Sequence, residues 1–317
     1  MLPKVSVIIP NYNHADHLQQ RIDSVLNQTY KNFEVIILDD CSTDGSRHVI
    51  DQYKSHSRIA SMVFNENNSG SPFLQWKKGI ELAKGEWIWI AESDDYADER
   101  FLETLISAAQ GHQNVGLIYC DSKIVGGRND VAETFATFKN KKFRTDRWSY
   151  NYVNNGLDEI ETYLLPEGTI NNSSAVLFNK KAIEETNPFD LNLRYIGDKY
   201  AFVKVLSKSN IVYVKDALNY YRNPFNTKHA DRFINYFEEQ FLVFDWAQKN
   251  LTITNQKKFL KGFHSNTRNS LFRNWDRSKL LLYRKLFQLN PSLLMKSVSQ
   301  NFLAPFISIF KKVKRFE

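Results

Sequence analysis

The stretch Trp87-Ile88-Trp89-Ile90-Ala91-Glu92-Ser93-Asp94-Asp95 passes without a break from apolar to acidic. Its apolar part reads as a buried strand, because an uninterrupted run of large aliphatic and aromatic side chains suits a strand covered on both faces. The carboxylates that follow lie where such a strand ends, at the edge where open α/β sheets hold their ligands.

Upstream the same pattern repeats. Val5-Ser6-Val7-Ile8-Ile9 is a short run ended by Pro10 and followed by Asn11 and Asn13, and Phe33-Glu34-Val35-Ile36-Ile37-Leu38 leads into Asp39 and Asp40. Ile59 to Phe64 supplies another strand. Between the strands, apolar residues recur at helical spacing: Leu18, Ile22, Val25 and Leu26; Val49, Ile50 and Tyr53; Phe73, Trp76, Ile80 and Ala83. Phe101, Leu102, Leu105 and Ile106 do the same after the acidic run. This alternation predicts an α/β fold with a central, mostly parallel sheet flanked by helices. Right-handed crossovers bring the strand C-termini to one edge, so the polar groups that follow the strands converge on one crevice.

Downstream, Val115 to Cys120 reads as a further strand ending at Asp121, and residues 122–165 are less regular. Regular structure resumes at Ser174 to Phe178, with a helix over Ala201 to Leu206 and two short strands at Ile211 to Val214 and Ala217 to Tyr221. Phe233, Phe237, Phe241 and Phe244 then follow helical spacing. The expected organisation is a catalytic region over 1–225, divided at 121/122, and a C-terminal helical extension over 226–317.

Composition is that of an ordinary globular protein: 317 residues, 42% hydrophobic and 24% charged, with a net charge of +7. The positive charge suits an anionic partner, but no extended Lys/Arg array or zinc-finger spacing favours nucleic acid. Lys139, Lys141, Lys142, Arg144 and Arg147 form the densest internal basic stretch and read as a solvated loop. With only Cys41 and Cys120, no disulfide scaffold is expected. The chain shows no signal peptide, which makes an intracellular location the default. The uncharged stretch Ser297 to Phe310 is 14 residues long, below the roughly 20 that a spanning helix needs.

Adjacent carboxylates repel unless water or a cation compensates. Asp94 and Asp95 therefore suit a hard divalent ion that also meets phosphate oxygens, while Asp98 and Glu99 fit a helix start. Asp39 and Asp40 can accept hydrogen bonds from a nucleobase or ribose, although Ser42, Thr43 and Asp44 nearby equally suit helix capping. Asp198, in Tyr195-Ile196-Gly197-Asp198-Lys199, is either a general base or a cap, and Asp190 reads as a turn residue. No dinucleotide fingerprint, P-loop, Gly-x-Ser-x-Gly elbow or zinc-protease motif is present.

Several segments together closely resemble the family-two, inverting glycosyltransferases with the GT-A fold. They are Val5 to Asn13, Ser24-Val25-Leu26-Asn27-Gln28-Thr29-Tyr30, Phe33 to Gly45, Lys78 to Glu86, and Glu92-Ser93-Asp94-Asp95. The likeness is strong over about 1–110 and weaker to about 225. It implies that Pro10, Tyr12 and Asn13 flank the nucleobase and that Asp39 contacts it. Asp94 is then expected near the sugar or ribose-phosphate, and Asp95 is expected to hold Mg²⁺ or Mn²⁺. Asn171 to Phe178 and Asn187-Pro188-Phe189-Asp190 resemble the acceptor side, with Asp198 as the base. Arg222, in Leu218-Asn219-Tyr220-Tyr221-Arg222, and His229 resemble groups that close over pyrophosphate. Two positions depart from the pattern: Glu92 stands where relatives commonly carry Asp, and Gly197 where many carry Glu.

The function this implies is inverting transfer from a UDP- or dTDP-type nucleotide sugar to a hydroxyl of a saccharide or lipid-linked saccharide. The setting is bacterial surface polysaccharide assembly, such as capsule or O-antigen. A nucleotidyltransferase on a similar fold and a non-catalytic carbohydrate-binding relative are the alternatives. In the tail, Phe302, Phe306 and Phe310 share helical spacing ahead of Lys311, Lys312, Lys314 and Arg315, interrupted by Pro305. Such a segment suits either peripheral contact with an anionic inner membrane face or packing on the catalytic region.

Overall fold

The computed structural model describes residues 4–126, 133–189, 193–222, 230–260, 263 and 277–296. The chain divides into two compact units, Met1–Glu159 with Thr169–Asn226, and Ile160–Gly168 with Thr227–Glu317. The strands are β1 (Val5–Asn11), β2 (Phe33–Asp39), β3 (Ile59–Phe64), β4 (Trp87–Ile90), β5 (Tyr96–Ala97), β6 (Val115–Val125), β7 (Tyr152–Asn155), β8 (Val176–Asn179) and β9 (Asn210–Arg222). The helices used below are α1 (Ala15–Leu26), α2 (Ser46–Asp51), α3 (Pro72–Leu82), α4 (Phe101–Ala109), α5 (Phe135–Phe143), α6 (Gly156–Glu159), α7 (Leu165–Glu167), α8 (Lys180–Thr186), α9 (Gly197–Leu206), α10 (Ala230–Asn250) and α11 (Arg277–Leu289).

The first unit is built on one sheet ordered β3-β2-β1-β4-β8-β6-β9-β5, with β7 also on β9. β1 runs parallel to β2 and β4, β2 to β3, and β6 to β9. β8 enters antiparallel between β4 and β6, and β5 and β7 pair antiparallel with β9. Alternate strand residues serve opposite faces. Val5, Val7 and Ile9 join Val35, Ile37 and Trp89 in a core closed by Leu18, Ile22 and Val25 of α1 and by Phe101, Leu102 and Leu105 of α4. On the other face α3 lies so close to β1 that a Cβ at Gly79 would fall 2.4 Å from Ile8. There Trp76 meets Phe178 edge-on, and Phe178 stacks on Phe202 of α9.

Three local expectations need correction. Pro10 does not end the first strand, because β1 continues to Asn11. Pro10 lies beyond Ile8↔Ile90, the last pair with β4, so its missing N–H breaks no bond to that neighbour. The two short strands at 211–214 and 217–221 are one strand, β9, with irregular register where Cys120 pairs Val214 and Asp121 pairs Ala217. The basic stretch near 140 is largely helical and only partly solvated, with Lys141, Lys142 and Arg144 exposed but Lys139 and Arg147 engaged. Lys139 of α5 is buried against the rings of Tyr119, Trp148 and Tyr213, and donates to the Thr169 carbonyl at 3.2 Å. Arg147 pairs with buried Glu159 at 2.7 Å.

In the second unit Phe237, Phe241 and Phe244 of α10 pack with Phe259 and Phe263. Residues 160–168 group here, although the sequence pattern assigns them to the preceding region. Buried Glu161 accounts for this: it accepts the Thr254 and Asn255 amides and the Thr254 hydroxyl, each at 2.8 Å.

Candidate active site

The acidic run is held residue by residue from four directions. The Glu92 carbonyl accepts Arg21 Nε of α1 at 2.8 Å and the Asp95 amide at 3.2 Å, closing a turn. The Glu92 carboxylate reaches across to α3 and accepts Trp76 Nε1 at 2.7 Å. Ser93 Oγ bonds His14 Nδ1 at 2.8 Å. The Asp94 carbonyl accepts Arg222 Nη1 at 2.6 Å, and Asp95 Oδ1 accepts the Arg222 amide at 3.0 Å. The two-residue strand β5 completes the clamp. Tyr96 pairs with Tyr220 and stacks on it at 4.4 Å, which sets Arg222 over the Tyr96 ring at 4.8 Å. Arg222 also donates to Gln20.

Burial dominates the electrostatics. It raises the Glu92 carboxyl to about 8, with the Asp94 charge adding to the effect. It raises Asp95 to about 6 against the opposing pull of Arg21, with Asp94 again raising it. The donor set suits a small hard cation in part. Carboxylate oxygens are the right ligands for Mg²⁺ or Mn²⁺, and Asp95 brings two, one of which takes the Arg222 amide while Ser174 also acts on the group. No group of three or more His, Cys, Asp or Glu able to hold an ion stands together among the described residues. A diphosphate would therefore have to supply much of the coordination.

The loops after β1 and β2 are laced together. Asp39 is buried, and its carboxylate accepts Asn11 Nδ2 at 2.8 Å, the Ser42 amide at 3.0 Å and Ser42 Oγ at 2.6 Å. Asn13 accepts the Thr43 amide at 2.8 Å, and its own amide donates to Ser42 Oγ at 3.0 Å. Asn13 and Cys41 both hold a left-handed backbone, at φ 56° and 63°, a strain that tends to collect at functional loops. Tyr12 is exposed there and Pro10 is buried. Capping explains the neighbouring carboxylates. Asp44 takes the Ala15 and Ser46 amides and so serves two helix starts. Asp40 is consumed by Asn65, Ser69 and Gln75, which fix the loop before α3.

Asp198 lies in the first turn of α9, half-buried, with Oδ1 accepting the Lys199 amide at 2.7 Å. Gly197 before it packs under Phe73, whose ring atoms would lie 2.5 Å from any Cβ at that position. Any side chain at that position would have to displace the Phe73 ring. Phe73 meets Trp76 edge-on at 5.1 Å, so the two departures from the family pattern, Glu92 and Gly197, rest on opposite ends of one aromatic pair. Tyr221 links the two sides: burial raises its phenol, followed by the charges of Asp95, Asp94 and Asp198. Asp94 and Asp95 are joined to Arg222 by hydrogen bonds, and Tyr221, next to it in β9, feels the charges of both carboxylates and of Asp198. His229 and Asp190 lie outside the described residues.

Sequence reasoning misses Arg21, His14 and Trp76 as supports of the acidic run. Arg21 did leave a signal: it stands in the apolar stripe of Leu18, Ile22 and Val25, where a charge is out of place.

Residues 6–160 match the sequence profile of glycosyl transferase family 2. Over 93 residues, 29% of this chain, the sequence is 41% identical to the putative teichuronic acid biosynthesis glycosyltransferase TuaG of Bacillus subtilis. That alignment spans 36% of the relative, and the chain covers about a third of the curated relatives it first matches. Among solved structures, S. aureus TarS 1-349 in complex with UDP-GlcNAc superposes with a TM-score of 0.69 at 18% identity, covering 92% of this chain and 82% of that one. The mannosyltransferase PcManGT from Pyrobaculum calidifontis, in complex with GDP-Man and Mn²⁺, superposes at 0.59 and 16% identity, covering 95% and 88%. These likenesses establish the GT-A fold.

Proposed function

We propose that this chain, whose residues 6–160 form a glycosyl transferase family 2 domain, transfers a sugar from a nucleoside-diphosphate sugar to an acceptor hydroxyl with inversion at the anomeric carbon. The observation that carries this reading is the acidic pair Asp94 and Asp95 clamped by Arg222 at one sheet edge, with Asp198 acting electrostatically on the same Tyr221. It lies next to a donor loop pair organised by Asn11, Asn13, Asp39 and Ser42.

The roles follow from position. The 11–14 and 39–44 loops receive the nucleotide, with Pro10, Tyr12, Asn13 and Asp39 at the base and Asp94 near the sugar or ribose-phosphate. Asp95 would hold Mg²⁺ or Mn²⁺, which would supply positive charge beside the departing diphosphate. Arg222 brings a fixed cation to the same place, and His229 follows it in the chain. Asp198 removes the proton of the acceptor hydroxyl, which attacks the anomeric carbon as the diphosphate leaves from the opposite side.

UDP sugars, UDP-GlcNAc foremost, are the first donors to test, because TarS is solved with that ligand; dTDP sugars follow. A saccharide or lipid-linked saccharide of a surface polymer is the acceptor class, by analogy with TuaG. Among the described residues no helix is long and apolar enough to cross a membrane. Work at the inner membrane face would rely on peripheral contact by the tail beyond residue 296, which lies outside the described residues.

A panel of nucleotide sugars, with release of nucleoside diphosphate and of pyrophosphate followed separately, tests the reading. Nucleoside diphosphate release that depends on acceptor supports it. Pyrophosphate release points to nucleotidyl transfer, and binding without release points to a non-catalytic relative.

A further inference from the structure

Arg21 is fully buried, in a helix position whose neighbours on the same face are Leu18, Ile22 and Val25. Its Nε donates to the Glu92 carbonyl, and its guanidinium lies 5.7 Å from the centroid of the Trp89 ring. Nη1 and Nη2 have no hydrogen-bond partner in the structure. The charges that act on it are, in order, Asp95, Asp94 and Glu92, with Arg222 opposing. No ion-pair contact joins Arg21 to these carboxylates. Burial lowers its proton affinity to about 10, which leaves the guanidinium charged at neutral pH.

A buried cation with idle donors is costly to the fold, so its charge calls for a use at the site it faces. Arg21 and Arg222 bring two positive charges to a run of three carboxyl groups, so most of its charge is compensated before any ion arrives. A divalent ion arriving alone would meet this standing positive charge in a largely buried place, where charges interact strongly. A nucleoside diphosphate arriving with the ion restores the balance. Arg222 lies partly exposed at the end of β9, whereas Arg21 is fixed in the core.

We propose that Arg21 is a fixed counter-charge that sets the order of assembly, disfavouring a divalent ion alone on the acidic run and admitting it together with a nucleoside diphosphate. This rests on Asp95 as the metal ligand under the proposed function. Arg21 touches no reacting atom and is a positioning residue.

The test is titration of the full chain with Mn²⁺, read by electron paramagnetic resonance, with and without UDP. Arg21→Met and Arg21→Gln serve as two neutral replacements, Arg21→Lys retains the charge, and thermal melts establish folding. The wild type is expected to bind Mn²⁺ at least about tenfold more tightly with UDP than without, within the usual range for coupled ligands. A neutral variant that folds is expected to bind Mn²⁺ alone about tenfold more tightly and so to narrow the UDP effect by about that factor, leaving the part that the diphosphate supplies as ligand, while Arg21→Lys keeps the wild-type effect. Equal Mn²⁺ affinity of the wild type with and without UDP overturns the proposal even if neither neutral variant folds. So does a folded neutral variant with the wild-type pattern. Failure of the wild type to bind Mn²⁺ even with UDP removes the metal reading as well, which separates the two failures.

Discussion

Replacing Glu92 with glutamine isolates the charge that the fold tolerates least. The Glu92 carboxyl accepts the Trp76 indole N–H and lies close to the Asp94 charge, and burial followed by that charge raises it from 4.5 to about 8. The folded chain therefore binds this proton more tightly than the unfolded chain does. Stability from Glu92 is complete below about 4.5 and is lost as pH rises through about 8. The full interval corresponds to about 5 kcal/mol. Coupling to Asp95 and the residual exposure of Glu92 reduce the measurable part to about 2–4 kcal/mol. Glutamine has the shape of the protonated acid, keeps an acceptor for Trp76 and carries no charge. Urea unfolding in chelator, without nucleotide, should show Glu92→Gln within about 1 kcal/mol of wild type at pH 5. At pH 9 the variant should be more stable by about 2–4 kcal/mol. Parallel pH profiles, or a variant that is the less stable protein at pH 9, would refute the reasoning.

Asp198→Asn should lower turnover by about 10²–10⁴-fold with nucleotide affinity unchanged by calorimetry; turnover like the wild type removes Asp198 from the base role. Gly197→Glu places a Cβ on the Phe73 ring and should lower stability by about 1–3 kcal/mol. Pairing it with Phe73→Ala should cost less than the two single changes added together, and strict additivity in thermal unfolding would show that the two positions do not meet. Glu161→Ala strips the shared acceptor from the Thr254 and Asn255 amides and the Thr254 hydroxyl. Hydrogen exchange at those two amides should accelerate by an amount corresponding to about 3 kcal/mol, and unchanged protection counts against this anchor.

The sequence by itself determined the layered fold and the edge where the chemistry gathers. Strands buried on both faces must be apolar throughout, as in Trp87 to Ile90, and their helices must show apolar residues on one side. Both patterns are local and legible along the chain, as is the placing of Asp94 and Asp95 just past a strand. What periodicity does not carry is the partner of a buried polar group. Arg21 meets the Glu92 carbonyl across 71 positions, and Arg222 meets Asp95 across 127. Only the tertiary structure showed that Asp40 is taken up by Asn65, Ser69 and Gln75, 25 to 35 positions away. It alone gave the long arm of Glu92 its reason in the Trp76 indole, and the missing side chain of Gly197 its reason in Phe73. The physical cause is the same in each case: a polar atom removed from water needs a bond wherever the fold can supply one, and that supplier is chosen by packing in three dimensions rather than by neighbours in sequence.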